Sequence, residues 1–168
     1  MARTNIENFR DLFIYELRDL YSAEDQLVNA IPKLVHAASS QSLKDAFNAH
    51  LEEAKQQKQR LSKISEMLGV EVKGVTCKGM EGLIEECSDV INVKADESVK
   101  DAALIAAAQR IEHYEIAGYG TAHHFATMLH ENDISDMLSE SLKEEKAGDE
   151  RLNRVAKETV NIKAEKVH

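Results

Sequence analysis

From Ile105 to Leu129 a core-type position recurs every three or four residues: Ile105, Ala108, Glu112, Glu115, Tyr119, Ala122, Ala126 and Leu129. Steps of this size put their members on one face of a long helix. Two members of the series are glutamates, so the segment IEHYEIAGYG sets carboxylates where the pattern calls for core. An ionised carboxylate taken out of water is destabilising by several kcal/mol unless something positive meets it. Whatever this chain folds into must bring counter-charge to Glu112 and Glu115, or protonate them.

The same irregularity runs through three more segments. A first helix, about residues 5–38, carries Phe13, Leu17, Leu20, Glu24, Leu27, Ile31 and Leu34 as a seam with one acid in it. Thr4 and Glu7 stand in capping-box spacing at its start, and Pro32 is expected to kink or interrupt its last turn. A second helix, about 42–69, carries Leu43, Phe47, His50, Ala54, Gln57, Leu61, Ile64 and Leu68, with Glu53 flanking the seam and Gly69 as its stop. Residues 70–97 form a crossover with a short amphipathic helix marked by Met80, Leu83, Ile84, Cys87, Val90 and Ile91. The third long helix, about 98–130, starts at Ser98 with Asp101 in capping spacing. The last, about 133–162, carries Ile134, Leu138, Leu142, Glu145, Asp149, Leu152 and Ala156 before a charged tail.

Long helix pairs joined by short turns make antiparallel hairpins, and a crossover of this length returns the chain to the far end. The expectation is a single all-α domain over residues 1–168, a four-helix bundle with one long crossover. A loose internal repeat agrees: Glu24 and Glu115 are 91 residues apart, and Glu53 and Glu145 are 92 apart. One proline, no tryptophan and 30% charged residues suit soluble helices. The net charge of −9 argues against nucleic-acid phosphate as partner. No apolar run reaches transmembrane length and residues 1–15 lack the apolar centre of a signal peptide, so the expected location is the cytoplasm. Cys77 and Cys87, placed in and just after a loop, are expected as reduced thiols.

Counted back from their turns at ~1.5 Å per residue, Glu24, Glu53, Glu115 and Glu145 all fall roughly 20–24 Å away, at mid-bundle. Like charges within a few ångströms cannot all stay ionised alone. Either several are protonated, or Arg and Lys reach in, or metal binds. No Arg or Lys holds a seam position near that layer, and Lys55, Lys58 and Lys146 fall on outward positions. A carboxylate-rich set suits iron first and manganese second, and bundles of this plan hold two such ions. His50 shares the face of Glu53 and reads either as a ligand or as a satisfied core histidine. Asp149, four residues after Glu145, reads as a ligand or as a residue orienting one. Gln57 reads as a hydrogen-bonding support. The candidate metal set is Glu24, Glu53, Glu112, Glu115 and Glu145, with His50 and Asp149 open between ligation and support.

The segments DLYSAEDQL, HLEEAKQQ, DAALIAAAQRIEHYEIAGYG and LKEEKAGD resemble those of the YciF family of bacterial stress-associated proteins over nearly the whole chain. The resemblance implies a ferritin-like bundle similar to rubrerythrin, a homodimer, a stress context and a metal site. Matched position by position, ferritin-like ligands fall on Glu24, Glu53, Glu112, Glu115 and Glu145. Where ferritin-like sites carry histidine three residues after the second- and fourth-helix glutamates, this chain has Gln56 and Gly148, and His50 and Asp149 are the available substitutes. The resemblance supplies architecture and a stress context but no reaction. The carboxylate layer itself reads as iron or peroxide handling at a di-iron or di-manganese site, as an oxidase, a peroxidase or a catalase-like enzyme acting with O2 or peroxide. The alternative is a non-catalytic structural or interaction protein with a vestigial site.

Overall fold

The structure, a computed structural model, describes residues 5–167. Helix α1 spans Phe9–Ala37 and is capped by Asn8, whose side chain accepts from the Asp11 amide at 2.9 Å. This cap opens the helix later than the expected start near residue 5, and Thr4 lies outside the described residues. Pro32 sits inside α1, which nonetheless runs on to Ala37. Helix α2, Gln41–Leu68, stops at Gly69, whose φ of 64° is the left-handed conformation that glycine adopts without a steric penalty.

The crossover holds the expected short helix, α3, Lys78–Asn92, with Cys77 as its N-cap and Cys87 buried on it. Helix α4 is Glu97–Met128, and α5 is Asn132–Val155. A π-helical turn at Ala156–Val160 carries the chain into α6, Asn161–Ala164, so the expected tail is partly helical. Among the described residues no helix is long and apolar enough to cross a membrane.

The capping pair expected at the start of α4, Ser98 with Asp101, does not form. Asp96 caps α4, accepting from Ser98 N at 2.8 Å. Asp101 instead reaches across to the α1–α2 turn and accepts from Ser39 N and Ser40 N at 2.8 and 2.7 Å. It satisfies donors at the start of α2 that α2's own N-cap, Ser40, leaves without a side-chain partner.

Helices α1 and α2 form one hairpin and α4 and α5 the other; α1 then lies against α4, and α2 against α5. The Phe9 and Phe125 rings meet at 4.8 Å, Asp19 meets Tyr114, and Ser39 meets Asp101, so α1 and α4 run antiparallel. Arg60 meets Ser141 and Glu53 meets Arg151, so α2 and α5 do too. With α3 lying over α1 and α4, this is a ferritin-like four-helix bundle with one long crossover containing a short helix.

Apolar side chains gather in two clusters rather than one. Leu27, Ile31, Phe47, Leu104 and Ile111 belong to the first, and Phe13, Leu17, Leu61, Ala122 and Leu138 to the second. Along each long helix a polar residue lies where one group gives way to the other: Glu24 on α1, Gln57 on α2, Glu112 and Glu115 on α4, Glu145 on α5, with His50 two turns before Gln57 among members of the first cluster.

On α5 the buried line is Ile134, Leu138, Ser141, Glu145, Gly148 and Leu152. The expected seam placed Leu142 and Asp149 on it, one residue further along in each case. Ser141 and Gly148 hold the central positions because small residues are what the neighbours allow. The Ser141 hydroxyl accepts from Arg60 at 2.6 Å. A Cβ at position 148 would stand 2.7 Å from Glu112 Oε2.

Candidate metal centre

Each long helix delivers its polar residue to the middle of the bundle because the apolar positions on either side fix its rotation. Burial there is nearly complete: Glu24 and Glu115 are 0% exposed, Glu112 and Glu145 1%, and His50 5%. The His50 ring lies between carboxylates, with Nδ1 3.2 Å from Glu112 Oε1 and Nε2 3.2 Å from Glu115 Oε2 and 4.0 Å from Glu145 Oε2. One donor atom from each of His50, Glu112, Glu115 and Glu145 falls within 4.8 Å of all the others. Glu24 joins from α1, its Oε1 accepting from the buried Tyr119 hydroxyl at 2.5 Å. Gln57 donates through Nε2 to Glu145 Oε1 and, at 3.0 Å, to Glu144 Oε2.

Protein groups do not satisfy this layer. The buried side-chain polar atoms without a hydrogen-bond partner, among the described residues, are Glu24 Oε2, His50 Nε2, Gln57 Oε1, Glu112 Oε2, both oxygens of Glu115 and Glu145 Oε2. Folded proteins leave few such atoms, and here all belong to one cluster.

Their acidities respond accordingly. Burial, then the charges of neighbouring acids, push the Glu24 and Glu115 carboxyls well above the usual range. Glu112 is pushed up to about 10 by burial, with His50 pulling it down and Glu145 and Glu115 adding to the rise. Burial acts to lower the His50 pKa, but the field of Glu112, Glu145 and Glu24 outweighs it and raises it. Without a cation, protons shared among these groups are what hold the charge in check.

Glu53 and Asp149 lie at the edge of this cluster. The Glu53 carboxylate accepts from Arg151 Nη2 at 2.8 Å. Asp149 accepts from Gln109 at 3.0 Å and Asn153 at 3.1 Å, with exposed His113 3.5 Å away. Lys55 and Lys58 are spent on Glu52 and Asp25. The sequence reading did not assign Arg60 and Arg151, which reach over the α2–α5 edge. Arg60 grips Glu144 with both terminal nitrogens at 2.9 and 3.0 Å. Neither arginine sits on a seam position, so helical periodicity gave no signal for them.

The family described as Domain of unknown function (DUF892) matches residues 8–165. Protein YciF of Escherichia coli (strain K12) is 46% identical over 162 residues, which are 96% of this chain and 98% of that one. The chain belongs to the YciF family. The crystal structure of the E. coli stress protein YciF superposes with a TM-score of 0.89, covering 92% of this chain and 98% of that chain. YcfI from Rhodopseudomonas palustris, for which a structural role has been proposed, is 41% identical with a TM-score of 0.88, covering 93% and 99% of the two chains.

Within this YciF-family chain, Gly148 stands where a ferritin-like histidine was looked for, and the Glu112 carboxylate fills the space beside it. Any side chain there meets Glu112 directly. A glycine at a core position of a helix was the one available sequence signal for that close approach.

Proposed function

We propose that the buried layer is a carboxylate-rich metal centre taking two ions, iron in preference to manganese, and that it handles iron or peroxide in the stress response. The observation that carries this reading is the convergence of the unpartnered buried polar atoms on six residues drawn from all four long helices. Hard oxygen donors with one imidazole match iron and manganese better than the sulfur- and histidine-rich sets of structural zinc. When bound, such a pair supplies redox equivalents toward O2 or peroxide.

The chain's own groups have definable tasks around it. A proton on His50 Nδ1, donated to Glu112 Oε1, leaves the Nε2 lone pair facing Glu115 and Glu145. Tyr119 holds Glu24 through Oε1 and leaves Oε2 free, and Gln57 does the same for Glu145. The apolar clusters above and below keep bulk water from the layer. Glu53 and Asp149, at the edge of the layer, would complete the ligand set when an ion is bound. The protein acts in the cytoplasm as a homodimer.

Anaerobic titration with Fe(II), followed by peroxide, should give oxidation stoichiometric with bound iron, and Glu115→Ala should abolish it. O2 evolution from peroxide by manganese-loaded protein would point instead to catalase-like turnover. Absence of binding above background removes the reading. The structural role proposed for the R. palustris relative supports a second reading, a non-catalytic protein with a vestigial site. Metal depletion that leaves melting temperature and assembly unchanged, with no redox activity, selects it.

A further inference from the structure

Each of the four seams between adjacent long helices is closed beside the buried layer by polar side chains, and the closing groups differ in kind. On the α1–α4 seam, Tyr114 donates to Asp19 at 2.8 Å and the Cys77 thiol, carried in by the crossover, lies 3.1 Å from Asp19 and 3.0 Å from Tyr114. Between α1 and α2, Lys58 pairs with Asp25 and lies over the Tyr21 ring. Between α4 and α5, the neutral amide of Gln109 holds Asp149.

The α2–α5 seam differs. Its partly buried carboxylates, Glu53 and Glu144, are each covered by an arginine, and each adjoins a residue of the buried cluster. Glu144 shares Gln57 with Glu145. Glu53 lies three residues after His50, one turn along the same helix face. Its side chain is 24% exposed and that of Arg151 27%, so the pair stands at the boundary between solvent and the layer.

We infer that the Arg151–Glu53 ion pair is a latch on the α2–α5 seam, which a divalent cation opens by taking Glu53 from Arg151 as a ligand. This rests on the metal-centre reading and adds the route and the release step to it. The contact is one N–H···O bond at 2.8 Å with a longer one at 3.4 Å, an uneven grip on a partly solvated carboxylate. Pairs of that exposure hold weakly because water and salt compete for both partners. A divalent ion brings twice the charge and a shorter contact. Once Glu53 turns, Arg151 keeps access to solvent through its exposed edge, so its release does not strand a buried charge. Arg60 on Glu144 is the contrasting case: its side chain is 13% exposed and held by two nitrogens, so that pair stays shut. The Glu53 carboxyl already feels both sides, with burial raising its pKa, Arg151 and His50 lowering it, and Glu145 and Glu144 raising it.

Calorimetric titration with Mn(II), which needs no redox step, tests this on the full chain as wild type, Arg151→Gln, Glu53→Gln and the double variant. Removing the competitor should tighten Mn(II) binding by about ten-fold, the scale of a lost charge-assisted hydrogen bond. Glu53→Gln should weaken binding, and in that background Arg151→Gln should no longer tighten it. Arg151→Lys, which keeps the charge and loses the fork, should fall between and serves if Arg151→Gln does not fold. An equal gain with and without Glu53 would mean that Arg151 acts only through its field, and the latch is then wrong. Unchanged affinity in Arg151→Gln, with the wild type binding Mn(II), also overturns it and leaves the metal centre standing. A wild type that binds neither Mn(II) nor Fe(II) removes both.

Discussion

Glu144 and Glu145 follow one another on α5 and both accept from the same Gln57 amide, yet they sit in opposite electrostatic settings. Glu144 points to the α2–α5 edge, where Arg60 grips both its oxygens. Glu145 points inward, 1% exposed, with one oxygen left unpartnered among Glu112, Glu115 and His50. The helix turns by about 100° between consecutive residues, and that turn alone separates an acid satisfied by a guanidinium from one that protein groups leave unsatisfied. The edge acids stabilise the fold as it stands. The central acids strain it until a cation or a proton arrives. A chain that merely needed polar residues at mid-bundle had arginines at hand and did not direct them inward.

Metal loading is where the two sets should diverge most. Binding to the folded state alone, at a free-ion concentration about a hundred times Kd, stabilises by about 2.7 kcal/mol. For a chain of this length that is a rise of about 5–10 °C in melting temperature. Glu115→Gln should erase the rise and at the same time make the metal-free protein more stable, by about 1–3 kcal/mol, because it removes a buried group with no partner for its charge. Thermal melts with and without Mn(II) read both effects. A metal-free Glu115→Gln protein that melts below the wild type would show that the acid is already satisfied, and the contrast with Glu144 would collapse.

The pH dependence of the metal-free protein comes next, and its sign is the reverse of the usual carboxylate case. Glu112 has a folded-state pKa near 10, raised first by burial, against 4.5 for the ordinary group, and Glu24 and Glu115 are raised in the same direction. Between those values the folded state keeps a proton that the unfolded state gives up, so unfolding is favoured progressively as pH rises. The stabilising contribution is full below about pH 4.5 and declines toward pH 10. Denaturant midpoints of chelated protein should therefore fall from pH 6 to pH 9, and saturating Mn(II) should flatten the slope by replacing those protons. A midpoint that stays flat over that range in the chelated protein would place the acids in contact with positive charge, ionised in folded and unfolded states alike.

How much of this could be read beforehand follows from what periodicity carries. Six polar residues at core positions of four seams (Glu24, His50, Gln57, Glu112, Glu115 and Glu145) were all legible, because each stands in a column of buried apolar neighbours that fixes its direction. The common height of Glu24, Glu115 and Glu145 was legible from distance to the turns. Asp101 was not: its place near a helix start suggested a local cap, whereas its carboxylate serves backbone amides some sixty residues away, a contact that only the packed hairpins create. On α5 the reading drifted by one residue to Leu142 and Asp149 because the true central positions, Ser141 and Gly148, lack the bulk that marks a core. Arg60 and Arg151 were invisible for a related reason. A long side chain can leave an outward position and cover an edge, so its target is set by the facing helix and not by its own spacing.

The smallest expected effect tests the edge half of the comparison. Glu144→Gln keeps the shape of the side chain and the bond from Gln57, but withdraws the charge from Arg60, whose side chain is only 13% exposed. Ser141 still accepts from Arg60 at 2.6 Å and Glu140 lies 3.5 Å away, so the guanidinium is weakened in its partners and not abandoned. The loss should be about 1–2 kcal/mol, or roughly 3–6 °C, and it should be the same with or without bound metal because Glu144 is no ligand. Its sign is opposite to that of Glu115→Gln, one helix away and with the same chemical change. Melts of the two variants side by side decide whether the arginine edge and the cation-seeking interior are separate devices. A Glu144→Gln protein that loses Mn(II) binding would make them one, with Gln57 as the link that carries the change inward to Glu145.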